Sequence, residues 1–165
     1  MKIRHINPKA LFSVLLALAM GISFSAKASD AGEHEHHGKG NRWGIALFLG
    51  GTEAHSEWEA TAGIELEYLI DDKWSVAALW EQTDGEDDPT LWMGLVGFRP
   101  YHKVGLQAGI GTHEVGEHSE TAYRLAIDYE FLLSPTWFLK PYAAYDFIEN
   151  SENEPVLGVY IGKLF

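Results

Sequence analysis

Residues 57–70 read EWEATAGIELEYLI, and as far as Tyr68 they alternate between two kinds of side chain at every step. One face of this stretch is apolar and carries Trp58, Ala60, Ala62, Ile64, Leu66, Tyr68 and Ile70. The opposite face is polar or small and carries Glu59, Thr61, Gly63, Glu65 and Glu67. A period of two with a clean polar face is typical of a β-strand and not of a helix.

The same alternation continues on both sides of this stretch, from Arg42 to the last residue, and it predicts eight strands. They fall at about 42–50, 57–70, 73–82, 91–99, 103–112, 120–132, 136–147 and 156–165, with ends good to two to four residues. The connections after the second, fourth and sixth strands are short, whereas the other four are longer, polar and acidic. Outer-membrane barrels have short periplasmic turns and longer outer loops. The sequence therefore predicts an all-β fold, an eight-stranded antiparallel up-and-down transmembrane β-barrel over residues 42–165.

In such a barrel the apolar faces meet lipid and the polar faces fill the interior. All six tryptophans lie close to a predicted strand end, as expected of rings at the membrane interface. Buried carboxylates need cations or hydration. We therefore predict an interior ion-pair network of structural importance, formed by Glu65, Glu67, Arg124, Asp128 and Lys140.

The N-terminal residues predict export. A basic start is followed by the apolar run LFSVLLALAMGISFS and by Ala26-Lys27-Ala28, a small-x-small site of the kind that signal peptidase cuts. We expect a signal peptide over residues 1–28, a flexible His-rich periplasmic tail over 29–41, and location in the outer membrane. Cysteine is absent, so disulfides cannot stabilise the exported chain. The net charge of −12 would fall further on loss of the basic leader, which argues against nucleic acid as a partner.

The chain resembles the small eight-stranded outer-membrane barrels of the OmpA-domain and OmpX type. The resemblance lies in the leader ending AKA, the paired strands GIELEYLIDDKWSVAALW and the last strand VLGVYIGKLF, which closes on Phe165. It implies recognition of the terminal aromatic residue by the barrel-assembly machinery, and contact with outer-membrane lipid and lipopolysaccharide. Lys163 departs from the family pattern, which usually has an apolar or aromatic residue two positions before the end.

Two groups of histidines are candidate metal ligands. The tail contains His34, His36 and His37 beside two glutamates, and this mixture suits zinc, copper or nickel. A weaker candidate is His113 with His118 in the third outer loop, whose spacing is not that of the zinc proteases. Loosely held divalent cations could also bridge the acidic loops to lipopolysaccharide.

No nucleophile and base are placed as an enzyme needs, because the adjacent His118 and Ser119 of an extended segment point to opposite faces. We therefore expect a non-enzymatic barrel with a structural or binding role, and metal handling by the His-rich tail. One alternative is a soluble periplasmic barrel that binds a small apolar ligand, with the apolar faces inside. The other is a lipid-modifying outer-membrane enzyme.

Overall fold

The computed structural model describes residues 42–54, 56–85, 88–101 and 103–165, and strands account for most of them. The strands are β1 (Trp43–Ala54), β2 (Glu57–Leu69), β3 (Trp74–Thr83), β4 (Thr90–Tyr101), β5 (Val104–Val115), β6 (His118–Tyr129), β7 (Phe131–Leu132), β8 (Trp137–Ile148) and β9 (Glu154–Leu164). The predicted signal peptide and His-rich tail lie outside the described residues. Within them, no helix is long and apolar enough to cross a membrane.

All neighbouring strands are antiparallel, and the sheet closes on itself. Each strand from β1 to β5 pairs with the next, and β9 pairs with both β1 and β8. The ring is completed by β8, which pairs with β6 along most of its length and with the two-residue β7 at its start. Because β6 and β7 occupy one position in the ring, the barrel has eight strands. The predicted fold class is confirmed.

The barrel has two different ends. At the terminal end lie Trp43, Leu164 and the connections from β2 to β3, from β4 to β5 and from β7 to β8. At the loop end lie the other four connections. The sequence predicts long loops in all four places, but β1 and β2 continue to Ala54 and Glu57, and β5 and β6 continue to Val115 and His118. That prediction is wrong for these two hairpins, because the polar segments keep pairing in register beyond the apolar part of the strands.

The outward face of the barrel is apolar. Large side chains that stay about half exposed include Ile64, Leu66, Ile110, Leu125 and Leu157. Tryptophans border this surface at both ends. Trp43, Trp74 and Trp137 lie at the terminal end, and Trp58, Trp80 and Trp92 lie at the loop end. An apolar belt between two aromatic girdles is the surface of a membrane-spanning barrel. The soluble alternative, with apolar faces inside and glutamates outside, has the opposite arrangement.

The turn between β2 and β3 is organised by one carboxylate. The Oδ1 atom of Asp71 accepts hydrogen bonds from the backbone N–H groups of Lys73 and Trp74, at 2.8 Å each. Both bonds favour the ionised carboxyl and hold the pKa of Asp71 below its ordinary value. Its stabilising contribution is therefore present above the ordinary pKa of an aspartate and is lost as the pH falls through the lowered value.

We expect Asp71→Ala to lower the urea midpoint of unfolding near neutral pH, with the difference from wild type shrinking in acid. The neighbouring Asp72→Ala is the matched control, because Asp72 is exposed and caps neither N–H group. Equal losses in the two variants would show that the turn depends on overall charge and not on the cap.

Candidate functional site: the barrel interior

The interior of the barrel is filled by inward-facing side chains. Midway along β8, Tyr142 meets Phe48 of β1 and Tyr160 of β9, and we call these three residues the aromatic layer. Their ring centroids lie 4.9–5.8 Å apart, and all three side chains are buried. Phe48 fits because β9 has a glycine beneath it: a Cβ atom on Gly158 would lie within 2.5 Å of the Phe48 ring. These three strands are neighbours in the ring, so the aromatic layer projects from one wall into the interior, where eight strands leave room for side chains only.

On the terminal side of the aromatic layer, two cations and two carboxylates form a ring of alternating charge. Lys140 Nζ lies 3.0 Å from Glu67 Oε2 and 3.9 Å from Glu130 Oε2. Arg99 completes the ring, at 3.5 Å from Glu67 Oε1 and 3.3 Å from Glu130 Oε2. We call these four residues the lower cluster. It ties β2, β4 and β8 to the segment that joins β6 to β7.

On the loop side of the aromatic layer, Arg124 of β6 holds two carboxylates. Its Nε and Nη2 atoms donate to the two oxygens of Asp146 on β8, at 2.6 Å each. Its Nη2 atom also lies 2.7 Å from Glu81 Oε2 of β3. We call Arg124, Asp146 and Glu81 the upper cluster. Bidentate arginine–carboxylate pairs are strong and directional, and this one joins the neighbouring strands β6 and β8. The contact with Glu81 links β6 to β3, a strand with which it shares no backbone hydrogen bonds.

The predicted interior network does not form one cluster in the structure, because Arg124 belongs to the upper cluster and Lys140 and Glu67 belong to the lower cluster. Lys140 pairs with Glu67, but Arg124 pairs with neither Glu65 nor Asp128, because the strand register sets Arg124 directly opposite Asp146. Glu65 and Asp128 are buried and face inward, yet neither makes an ion pair with a described residue. The sequence indicates which residues face inward, but the pairing depends on the register between strands that are distant in sequence.

The predicted network lacks Asp146 and Glu81 of the upper cluster, Arg99 and Glu130 of the lower cluster, and the apolar part of the interior. Glu81 follows Leu79 on β3, a strand with apolar residues on both faces, so period two alone does not assign its direction. For the same reason β4 does not reveal that Leu91, Met93 and Leu95 point inward. The available signal was the balance of charges. Inward-facing carboxylates outnumber inward-facing cations, so Arg124 has more than one possible carboxylate partner.

The histidines do not assemble a metal centre among the described residues. His113 is buried on the inward face opposite Glu120, and His118 is exposed at the tip of the β5–β6 hairpin. Within the described ranges, no three His, Asp or Glu side chains are grouped so as to hold a metal ion. The tail residues His34, His36 and His37 lie outside the described residues.

Comparison with known proteins extends to the fold alone. No protein-family model and no curated protein matches the sequence. Among solved structures, the N-terminal β-barrel domain of Pseudomonas aeruginosa OprF is similar with a TM-score of 0.63 and 12% identity, over 76% of this chain and 99% of that domain. Ail, the attachment invasion locus protein of Yersinia pestis, is similar with a TM-score of 0.54 and 15% identity, over 76% and 99%. Neisserial surface protein A is similar with a TM-score of 0.52 and 11% identity, over 76% and 97%. The chain therefore has the fold of the small eight-stranded outer-membrane β-barrels.

Proposed function

We propose that this chain is a closed, non-conducting barrel of the bacterial outer membrane, with a structural or binding role and without enzymatic activity. The observation that supports this role best is the filled interior. The aromatic layer lies between two ion-pair clusters, and Arg124, Tyr160, Phe48 and Lys140 are all less than 2% exposed. Buried side chains at these three levels support a closed interior, so binding at the ends is favoured over transport.

We propose further that the terminal end faces the periplasm and the loop end faces the cell exterior. Lys73, Lys103 and Lys163 lie at the terminal end, whereas the loop end is rich in Asp and Glu. Acidic loops suit lipopolysaccharide if divalent cations bridge the two, and the terminal end would meet phospholipid headgroups. Lys163 fits this location, because its Nζ atom lies over the rings of Trp137 and Phe165, at 5.9 and 5.0 Å from the ring centroids.

Reconstitution into planar bilayers tests the closed interior. We expect the wild-type protein to insert without steady single-channel conductance. A positive control is needed for insertion, and the heat-dependent gel mobility of protein recovered from the same vesicles supplies it. Steady conductance from protein with the full heat shift would contradict the closed barrel.

The metal-handling role of the tail is a separate part of the proposal. His34, His36 and His37 would bind zinc, copper or nickel on the periplasmic side. A zinc titration of the processed chain, compared with a variant lacking residues 29–41, tests it. Retained binding in the shortened variant would exclude the tail as the site.

The proposal that the barrel is not an enzyme has its own measurement. We expect the lipid A of cells that overproduce the protein to match that of cells with an empty vector. Loss or gain of an acyl chain that depends on the protein would instead favour the lipid-modifying alternative.

A further inference from the structure

The loop end of the interior gathers four inward-facing carboxylates, and among the described residues only Asp146 of these four is paired with a cation, Arg124. Asp146 of β8 and Glu154 of β9 are directly opposite in the strand register, and both lie on the inward face. Like charges in such a pair repel each other unless something lies between or beside them. Glu59 of β2 and Glu120 of β6 are on the same inward side near this end, and both are half-buried. We call these four carboxylates, with His113, the acidic mouth.

The protein supplies too little positive charge to balance the acidic mouth. Neither Lys nor Arg occurs in residues 50–62, 80–92, 110–123 or 146–157, which form the loop end. Arg124 is the nearest buried cation, and it is already engaged by Asp146 and Glu81. Glu154 makes no hydrogen bond or ion pair with a described residue, and Glu120 accepts only a hydroxyl hydrogen bond, from Ser151 at 2.6 Å. The negative charges of Glu59, Glu120 and Glu154 are therefore available to a cation from outside the chain.

Two deeply buried polar atoms nearby also lack hydrogen-bond partners among the described residues. His113 is 8% exposed, and its Nδ1 atom has no hydrogen-bond partner among the described residues. The register places His113 opposite Glu120, and Asp146 is one of its charged neighbours. Glu81 is 2% exposed, and only its Oε2 atom contacts Arg124, so Oε1 stays unpaired. Buried polar groups without partners are uncommon and mark places where a ligand can bind.

We propose that the acidic mouth binds a small organic cation with two or more ammonium groups, of the diamine or polyamine class. A metal ion needs its ligands to converge on one point within about 2–2.6 Å. The described residues contain no such group of three His, Asp or Glu side chains. Ammonium groups instead donate hydrogen bonds of about 2.7–3.2 Å, and those of a flexible chain reach acceptors that do not converge. The half-buried Glu59, Glu120 and Glu154 remain open to water and are the acceptors that such a ligand meets first.

Calorimetric titration of the detergent-solubilised barrel with spermidine, near neutral pH and at low salt, tests the site. Glu154→Gln and Glu59→Gln each remove one carboxylate of the acidic mouth. Glu114→Gln is the matched control. This substitution makes the same charge change at the loop end, but Glu114 is exposed on the outward face. We expect each mouth variant to weaken spermidine binding about tenfold, the effect of losing one charged contact, and the control to stay within about twofold.

Three outcomes would overturn the proposal: no saturable binding of spermidine, equal weakening by Glu114→Gln, or displacement of spermidine by Mg²⁺ bound more tightly through the same carboxylates. The first means no amine site, the second a diffuse surface charge, and the third a metal site. Heat-dependent gel mobility confirms that each variant is folded, and both substitutions relieve repulsion, so unfolding is not expected. Spermidine binding goes beyond the proposed function. Bilayer conductance is measured independently of it, so failure of one proposal is distinguishable from failure of the other.

Discussion

Replacing Arg124 with Met should destabilise the barrel by about 3–5 kcal/mol, because it leaves two buried carboxylates without their cation. Asp146 and Glu81 are 3% and 2% exposed, so water cannot replace the guanidinium without opening the interior. The loss would be measured as a lower urea midpoint for unfolding from lipid vesicles. It should also appear as a lower temperature at which the heat-shifted gel band is lost.

Two further variants distinguish the loss of the buried ion pairs from the loss of one positive charge. Arg42→Met removes an exposed cation at the terminal end and should leave the urea midpoint nearly unchanged. The triple variant Arg124→Met, Glu81→Gln, Asp146→Asn removes the orphaned charges together and should recover part of the lost stability. If Arg124→Met alone unfolds like wild type, the upper cluster does not stabilise the barrel.

Replacing Phe48 with Ala should both destabilise the barrel, by about 3–5 kcal/mol, and open it. Phe48 is fully buried in the aromatic layer, at ring distances of 5.8 Å from Tyr142 and 5.0 Å from Tyr160. Its removal leaves a void beside Gly158, between the upper and lower clusters. Polar groups on both sides of that void would draw in water, so we expect single-channel conductance where the wild type has none.

Phe147→Ala is the control for this prediction, because it deletes the same side chain from the outward face. Phe147 is 41% exposed and packs beside Tyr145, so its loss removes lipid contact but creates no void inside. We expect a smaller loss of stability and no conductance. Conductance in both variants would mean that loosened strand packing, and not the aromatic layer, controls the path.

The fold could be predicted from sequence because membrane-spanning strands alternate between apolar and polar residues. In β2 the alternation separates the two faces, and from Thr61 to Leu69 the structure buries every second residue as the alternation predicts. The ends of strands were harder to predict. Pairing of Thr52 with Glu59 and of His113 with Glu120 extends the ladders through polar residues that resemble loop sequence.

The sequence predicts which charged side chains face the interior, but it does not predict which of them pair with each other. Arg124, Lys140 and Glu67 stand on strands with a clear period, and their inward orientation follows from it. Which carboxylate meets Arg124 depends on the pairing of β6 with β8, which no local pattern encodes. The aromatic layer was missed for a related reason. Phe48 and Tyr160 lie on strands with large residues on both faces, where lipid contact and interior packing favour the same residue types.

Collision accessibility of spin labels tests the central claim, an apolar belt in lipid around a filled interior. The sequence contains no cysteine, so Leu66→Cys, Leu125→Cys and Asn153→Cys each provide one labelling site. In lipid vesicles we predict that oxygen, which concentrates in the bilayer, reaches the labels at 66 and 125 far more readily than a water-soluble nickel chelate. The reverse should hold at 153, in the connection between β8 and β9. Preferential access of the nickel chelate to 66 and 125 would contradict a membrane-spanning barrel.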